Sequence, residues 1–223
     1  MIRNHPGEEL LSSYSAGSLP LGQALCVAAH IEFCGSCCQN LQRLDKVGGE
    51  LLQQLNPAKV SCDVKNAVLK EIDERLDSIE SDDHDVAYDG DSSIPVCLRQ
   101  FVKTSYQNLS WQRVARSIHN IELFRDGESA KIELLKIKPS GSATTHSHLG
   151  DEYTVILEGS FSDEDGLYQQ GDFLVRNSSD VHTPVVTLDR DCICLAVSEA
   201  PLQFTGFFKR LLNPFIRRRY LQN

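Results

Sequence analysis

The chain has 223 residues, of which 41% are hydrophobic and 24% are charged, as in ordinary globular proteins. Its formal net charge of −9 disfavours direct binding to nucleic acid, because that binding needs clustered lysine and arginine. The sequence has no run of about 18 apolar residues and no secretory signal, so we expect a cytoplasmic protein without a membrane span. In a reducing compartment, eight cysteines indicate metal binding or redox chemistry rather than disulfides.

The first third of the chain is predicted to be helical, because its apolar residues recur at helical spacing. The turn signal Gly17-Ser18-Leu19-Pro20 separates the first helix from the second, and Asn56-Pro57 ends the third. A fourth helix is predicted from about residue 61 to residue 76. The apolar residues expected on its buried face are Val64, Val68, Leu69, Ile72 and Leu76.

An acidic segment follows the predicted helices. Residues 71–91 contain ten acidic residues and one arginine, and they offer few groups for burial. We therefore predict a helical domain at 1–77, an acidic linker at 78–95 and a second domain at 96–200.

The second domain is predicted to consist of short antiparallel strands. Its sequence shows period-two alternation or short apolar runs, separated by turn signals such as Asp165-Gly166 and Gly171-Asp172. This pattern favours a small sandwich or barrel. The predicted strands are 114–124, 131–137, 153–157, 173–175, 185–188 and 192–197.

The final segment, 201–223, is basic and amphipathic. Its core, FTGFFKRLLNPFIRRR, has five basic and no acidic residues. We expect a helix docked on the second domain, interrupted at Asn213-Pro214; a membrane-surface or partner-binding helix is the alternative.

The sequence AAHIEFCGSCC contains a metal-ligand pattern. It places His30, Cys34 and Cys37 in a His-x3-Cys-x2-Cys array, with the first two on one side of a helix end. Gly35 and Ser36 would let the chain turn between two thiols that bind one tetrahedral zinc ion.

A closed structural zinc site needs a fourth ligand. His5 is the first candidate, because one short helix and a turn could return the chain to the same place. Cys26 and Cys38 are rivals, and spacing alone does not choose between Cys37 and Cys38. For Cys26 we favour simple packing in the core.

The stretch HPGEELLSSYSAGSLPLGQALCVAAHIEFCGSCC resembles the zinc-binding domain of the ChrR-type anti-sigma factors, over most of residues 4–76. The resemblance implies that His5, His30, Cys34 and Cys37 bind zinc and that Cys38 does not. It also implies a small helical bundle that grips an extracytoplasmic-function sigma factor and covers its polymerase-binding surfaces.

A second ligand pattern lies in GSATTHSHLGDEYTVILEG, which reads His-x-His-x3-Glu-x6-Gly. His146 and His148 are two apart, so on a strand they face the same way, and Glu152 follows after a short turn. His182, from a later strand, can complete the set. Three imidazoles and a carboxylate suit zinc, iron, manganese or nickel.

This second pattern resembles the two cupin motifs, with departures. The spacing from Gly141 to His146 is one residue short, and Asn177, Ser179 and Val186 replace the usual Pro, Gly and Asn. ChrR-type proteins carry a cupin-like domain after the anti-sigma domain, with zinc as the expected metal. The two resemblances together imply an α+β multidomain protein, a helical zinc-binding bundle followed by an antiparallel β-barrel.

Cys192 and Cys194 lie two apart on a predicted strand and so share a face. Two interpretations stay open: simple packing in the core, or modification by an oxidant or electrophile as a damage sensor.

The ChrR resemblance implies a sigma-factor inhibitor, not an enzyme, that releases its partner under singlet-oxygen-type stress sensed by the cupin domain. The alternative is a metal-dependent cupin enzyme, a dioxygenase or isomerase, with a regulatory helical domain. A zinc-finger DNA-binding protein is disfavoured by the acidic balance.

Overall fold

The structure is a computed structural model, which describes residues 2–78, 93–126 and 130–204 together with residues 213, 214, 218 and 220. Most of the predicted acidic linker at 78–95 and of the basic segment at 201–223 lies outside the described residues. The domain boundaries therefore stay predictions.

Among the described residues, four α-helices precede the strands, as predicted. The second and third helices meet at an angle of 119°. The bend lies at Cys34, whose extended backbone (φ −112, ψ 96) separates the two helices without a glycine in a left-handed conformation. The helices are α1 (Glu8–Ser15), α2 (Leu21–Phe33), α3 (Gly35–Gln53) and α4 (Cys62–Ser78).

Within the described residues, no single helix is both long and apolar enough to cross a membrane. Only α2 and α3 taken together reach that length and apolarity, and the 119° bend lies between them. Six residues of α2 are buried inside the protein, as in a core helix.

The prediction that one face of α4 is buried is wrong in the structure of this single chain. Every described side chain from residue 62 to residue 74 is exposed, including Val64, Val68, Leu69 and Ile72. None of them belongs to either hydrophobic core. The reason is that helical periodicity shows which residues share a face, but not what covers that face.

The second domain is antiparallel and cupin-like. One sheet has six strands in the order β1-β2-β3-β10-β5-β8, a second has the order β7-β6-β9, and β11 pairs with β4. The strands are β1 (Gln112–Arg113), β2 (Ile118–Asp126), β3 (Ala130–Ile137), β4 (His146–His148), β5 (Glu152–Glu158), β6 (Ser160–Asp163), β7 (Gly166–Gln169), β8 (Phe173–Arg176), β9 (Val185–Val186), β10 (Cys192–Ser198) and β11 (Leu202–Phe204).

The strand predictions differ from the structure in three places. The strand predicted at 114–124 begins only at Ile118, as β2, while the short β1 lies before residue 114. Two single-turn helices, Val96–Leu98 and Tyr106–Asn108, precede β1. The hairpin of β6 and β7, joined at the predicted Asp165-Gly166 turn, was not predicted, and neither was β11. These strands have only three or four residues, too few to show a clear period.

The six-stranded sheet lies between two hydrophobic cores. On β10, Ile193 and Leu195 belong to the core that also contains Cys26 and Val27 of α2. Cys192 and Cys194, on the opposite face of the strand, belong to the core inside the second domain. The helical part therefore packs directly on the outer face of the sheet.

Candidate metal sites

The first candidate site joins the chain before α1 to the bend between α2 and α3. The donor atoms of His5, His30, Cys34 and Cys37 all lie within 4.8 Å of one another. His5 Nδ1 is 3.4 Å from the sulfur of Cys34 and 3.4 Å from the sulfur of Cys37. Around a tetrahedral zinc, bound nitrogen and sulfur atoms are about 3.5 Å apart, given typical zinc–ligand distances.

The chemistry of this donor set also fits zinc. His30 is fully buried, and its Nε2 has no hydrogen-bond partner among the described residues, although such a buried nitrogen normally has one. Its other ring nitrogen, Nδ1, donates to the carbonyl oxygen of Gly171 at 2.7 Å. That hydrogen bond leaves a lone pair on Nε2, the state a metal requires.

The two thiols of this group differ in acidity. Burial raises the pKa of Cys34, but hydrogen bonds from Ser36 and Cys37 outweigh it, so the net pKa lies below the usual value. Burial, together with the adjacent Cys34, raises the pKa of Cys37 to about 11. A bound cation would favour both thiolates.

The structure separates the rival cysteines from this group. Cys38 lies outside it, with its sulfur 3.9 Å from Gln42 Nε2. Cys26 is fully buried, with its sulfur 3.8 Å from the carbonyl oxygen of Tyr153. Spacing left Cys37 and Cys38 open, and the first turn of α3 directs Cys37 toward His5, so that zinc binding by Cys37 rather than Cys38 stays the prediction.

The second candidate site lies in the cupin-like domain. His182 Nε2 is 3.2 Å from His146 Nε2 and 3.3 Å from His148 Nε2. All three histidines are buried. Burial lowers the pKa of His146 and of His148 to about 4, so both rings are neutral at neutral pH.

Two of the three imidazoles have a hydrogen-bond partner at the outer nitrogen. His146 Nδ1 donates to the carbonyl oxygen of Thr144 at 2.7 Å, and His182 Nδ1 donates to Asp163 Oδ2 at 3.2 Å. Both bonds leave an Nε2 lone pair at the centre of the group. Converging lone pairs repel one another unless a cation lies between them, so this arrangement fits a metal ion.

Glu152, the predicted fourth ligand, lies beside the triad rather than within it. Its Oε2 is 3.6 Å from His148 Nδ1, the ring nitrogen that faces away from His182. Both carboxylate oxygens accept hydrogen bonds from hydroxyls, those of Thr154 and Ser198. In this conformation the carboxylate lies near His148 without a hydrogen bond to it, and direct binding of a metal by Glu152 stays a prediction.

The sequence analysis missed Asp163, at the end of β6. Its side chain is fully buried, and it contacts His182, Arg176 and the hydroxyl of Tyr168. Burial would raise its pKa, but the hydrogen bonds and the Arg176 charge keep the pKa below its usual value. The adjacent Asp165-Gly166 signal marked only a turn, and nothing in the spacing linked the resulting hairpin of β6 and β7 to a histidine.

Cys192 and Cys194 lie on the inner face of β10, with their sulfurs 3.7 Å apart. Both are buried, and the pKa of Cys194 is raised well above its usual value by the adjacent Cys192 thiol and by burial. The Cys194 thiol is therefore protonated, both sulfurs are shielded in the folded protein, and their reaction with an oxidant requires access to the inside of the domain.

Comparison with known proteins gives three results. A family model described as the ChrR cupin-like domain matches residues 99–202. The anti-sigma-E factor ChrR of Cereibacter sphaeroides is 32% identical over 216 residues, which cover 97% of this chain and 99% of that protein. The solved structure of Rhodobacter sphaeroides SigE in complex with the anti-sigma ChrR matches with a TM-score of 0.76 and 28% identity, covering 89% of this chain and 100% of that chain.

The fold and the two donor groups define a class: proteins that join a helical His/Cys module to a cupin-like domain carrying a histidine triad. The similarity over nearly the whole length identifies the family within that class. The chain belongs to the ChrR family of anti-sigma factors.

Proposed function

We propose that this protein is a cytoplasmic anti-sigma factor that binds and inhibits an extracytoplasmic-function sigma factor. The observation that carries the proposal is an uncovered apolar surface on α3, the following turn and α4, within a chain of the ChrR family. We call it the α3–α4 apolar surface. Its residues are Val47, Leu51, Leu52, Leu55, Val64, Val68, Leu69 and Ile72.

This surface suits a protein partner. Each of its side chains is at least 48% exposed, and large contiguous apolar surfaces on soluble proteins commonly mark binding sites. Two helices joined by residues 56–61, which lie in no helix or strand, can close on an apolar groove of a helical partner. Inhibition then follows because a sigma factor enclosed by this surface cannot reach RNA polymerase.

His5, His30, Cys34 and Cys37 would hold zinc, which supplies a structural cross-link between the N-terminal segment, α2 and α3. Structural zinc contributes on the order of 10 kcal/mol to the folding of small modules. The link fixes the direction in which α3 leaves α2, and therefore the position of the partner-binding surface. Zinc in this role takes no part in a reaction.

His146, His148 and His182, with Glu152 beside them, would hold a second metal, for which zinc is the first expectation and iron, manganese or nickel are alternatives. We propose that the cupin-like domain senses singlet-oxygen-type stress and that this event promotes release of the sigma factor. Cys192 and Cys194 are the candidate reactive groups, because they form the only close thiol pair of the described cupin-like domain. We therefore assign the cupin-like domain a regulatory role rather than the alternative role of a dioxygenase or isomerase.

The test is transcription in vitro with RNA polymerase and each extracytoplasmic-function sigma factor of the same genome. Adding the full chain should abolish transcription by one of them at a one-to-one ratio. Light with a photosensitising dye should restore it, and a Cys192→Ser/Cys194→Ser variant should keep it repressed. Transcription by every sigma factor unaffected by the chain would overturn the inhibitor assignment, whereas repression that light never relieves would overturn only the sensing role.

A further inference from the structure

The turn before β8 in the cupin-like domain touches the first candidate zinc site. The carbonyl oxygen of Gly171 accepts the 2.7 Å hydrogen bond from His30 Nδ1. The next residue, Asp172, is fully buried, and its Oδ1 accepts the backbone N–H groups of Arg3 and Asn4 at 2.8 and 2.9 Å. The same turn therefore holds one histidine of the site and the segment that ends at the other, His5.

The contact between Asp172 and the N-terminal segment is extended by β8. The backbone N–H of Phe173 donates to the carbonyl oxygen of Asn4 at 3.0 Å. The second oxygen of Asp172 accepts the N–H of Gln169 at 2.8 Å, which closes the turn itself. Since both carboxylate oxygens accept backbone N–H groups, Asp172 fixes the turn and the segment before His5 relative to each other.

Packing around Gly171 is equally close. Its backbone adopts a left-handed conformation, with φ at +89. A Cβ there would lie 2.6 Å from Ile2 Cδ1 and 2.9 Å from Phe33 Cβ, so no side chain fits without a shift. Ile2 and Phe33 belong to the segments that carry His5 and Cys34, and these two segments therefore meet over Gly171.

We propose that Gly171 and Asp172 are positioning residues of the first zinc site, so that the cupin-like domain helps to hold zinc in the helical module. Groups that hydrogen-bond a metal-binding histidine fix its orientation and its tautomer, and their loss typically weakens metal binding. Gly171 does this for His30 directly, whereas Asp172 acts on His5 through the backbone of Arg3 and Asn4. The inference rests on the proposal that this site binds zinc.

The same contacts also connect the two candidate metal sites through β8, one in the cupin-like domain and one in the helical part. At the other end of β8, Arg176 contacts Asp163, which in turn holds His182 of the second site. One four-residue strand therefore touches residues that hold ligands of both sites. A shift of β8 would therefore alter the contacts that position the proposed ligands of both sites.

The test compares Asp172→Asn and Gly171→Ala with a matched control, Asp126→Asn. Asp126 also joins the sheet to α2, because its Oδ2 accepts the N–H of Gly22 at 3.3 Å, but it lies away from the zinc ligands. The affinity of the first site is measured on the full chain by competition with a chromophoric chelator. Cobalt(II) substitution reports the same site separately, since thiolate-to-cobalt absorption arises only where cysteine binds.

We expect Asp172→Asn and Gly171→Ala each to weaken zinc binding at the first site by roughly 10- to 100-fold, with the second metal retained and Asp126→Asn unchanged. Wild-type affinity in both variants would overturn the inference. Hydrogen exchange on the wild-type chain covers the case in which a variant fails to fold. Chelating the first zinc should speed exchange at the amides of Arg3, Asn4 and Phe173, and unchanged exchange there would overturn it as well.

The outcomes separate the two proposals. A wild-type chain whose first site never binds zinc or gives thiolate-to-cobalt absorption overturns the zinc assignment itself. If the wild-type chain binds zinc and the Asp172→Asn and Gly171→Ala variants bind it equally tightly, only the positioning role is overturned.

Discussion

Asp163 Oδ2 accepts a hydrogen bond from His182 Nδ1 at 3.2 Å, inside the cupin-like domain. The carboxylate is held in turn by Arg176 Nη2 at 2.8 Å and by the hydroxyl of Tyr168 at 2.9 Å. This contact directs the free Nε2 of His182 toward the other two histidines. The orientation of His182 in the second candidate site therefore depends on Asp163, a residue outside the histidine triad.

Asp163→Asn should weaken metal binding at the second site by roughly 10- to 100-fold, because the amide carries no charge and its NH2 group faces a donor in place of either oxygen. In place of Oδ2 it faces Arg176 and His182, and in place of Oδ1 it faces the backbone N–H of Asp165. Asp165→Asn is the matched control, since Asp165 pairs with Arg176 Nη1 at 2.9 Å but does not touch His182. The measurement is metal content after dialysis against a graded chelator. Equal retention in the Asp163→Asn variant and the control would contradict the assigned role.

Cys34→Ala and His30→Ala should each remove one zinc per chain and abolish sigma binding, because the cross-link between α2 and α3 is lost. Cys38→Ala should keep both properties, since its sulfur lies outside the donor group. Metal analysis and size-exclusion chromatography with the sigma factor measure the two effects. A Cys34→Ala chain that lacks zinc but binds sigma with unchanged affinity would refute the structural role of the metal.

The double substitution Val64→Asp/Val68→Asp should abolish sigma binding while changing the free energy of unfolding of the isolated chain by less than about 1 kcal/mol, since both side chains are exposed. Asn66→Asp introduces a carboxylate on the other face of the same helix, and it should leave binding intact. Calorimetric titration with the sigma factor and denaturant unfolding give the two quantities. Normal binding by the double variant would exclude α4 from the interface.

The thiol of Cys97 should alkylate about tenfold faster for each unit of pH from 8 to 10, without a plateau. Burial, and then the adjacent Glu32, raise the pKa of Cys97 to about 12. Its thiolate is therefore a small fraction throughout that range and grows tenfold per unit. Mass spectrometry after iodoacetamide treatment gives the rate, with exposed Cys62 confirming that the reagent is active. A plateau near pH 9 would show an ordinary thiol.

The sequence predicted the helices and most of the longer strands because their periods extend over several residues. Local spacing and the ChrR resemblance named the members of both donor groups; the structure brings these residues together apart from Glu152, and their binding of metal stays a prediction. The first turn of α3 places Cys37 rather than Cys38 in the first donor group.

What the sequence could not predict depends on contacts between distant segments. Gly171-Asp172 was visible only as a turn, yet it contacts residues about 140 and 170 positions earlier in the chain. Asp163 is likewise linked to its histidine only by the folded hairpin of β6 and β7. The exposed face of α4 was predicted to be buried, since an apolar stripe looks the same whether it packs internally or meets a partner.

Purification of the full chain from its native cells, followed by identification of the bound protein and a count of the metals per chain, tests the anti-sigma role and the zinc site together. We expect an extracytoplasmic-function sigma factor at a one-to-one ratio and two metal ions per chain, one of them zinc bound by His5, His30, Cys34 and Cys37. A chain that carries both metals but binds no sigma factor, either from the cell or after mixing with each purified candidate, would contradict it.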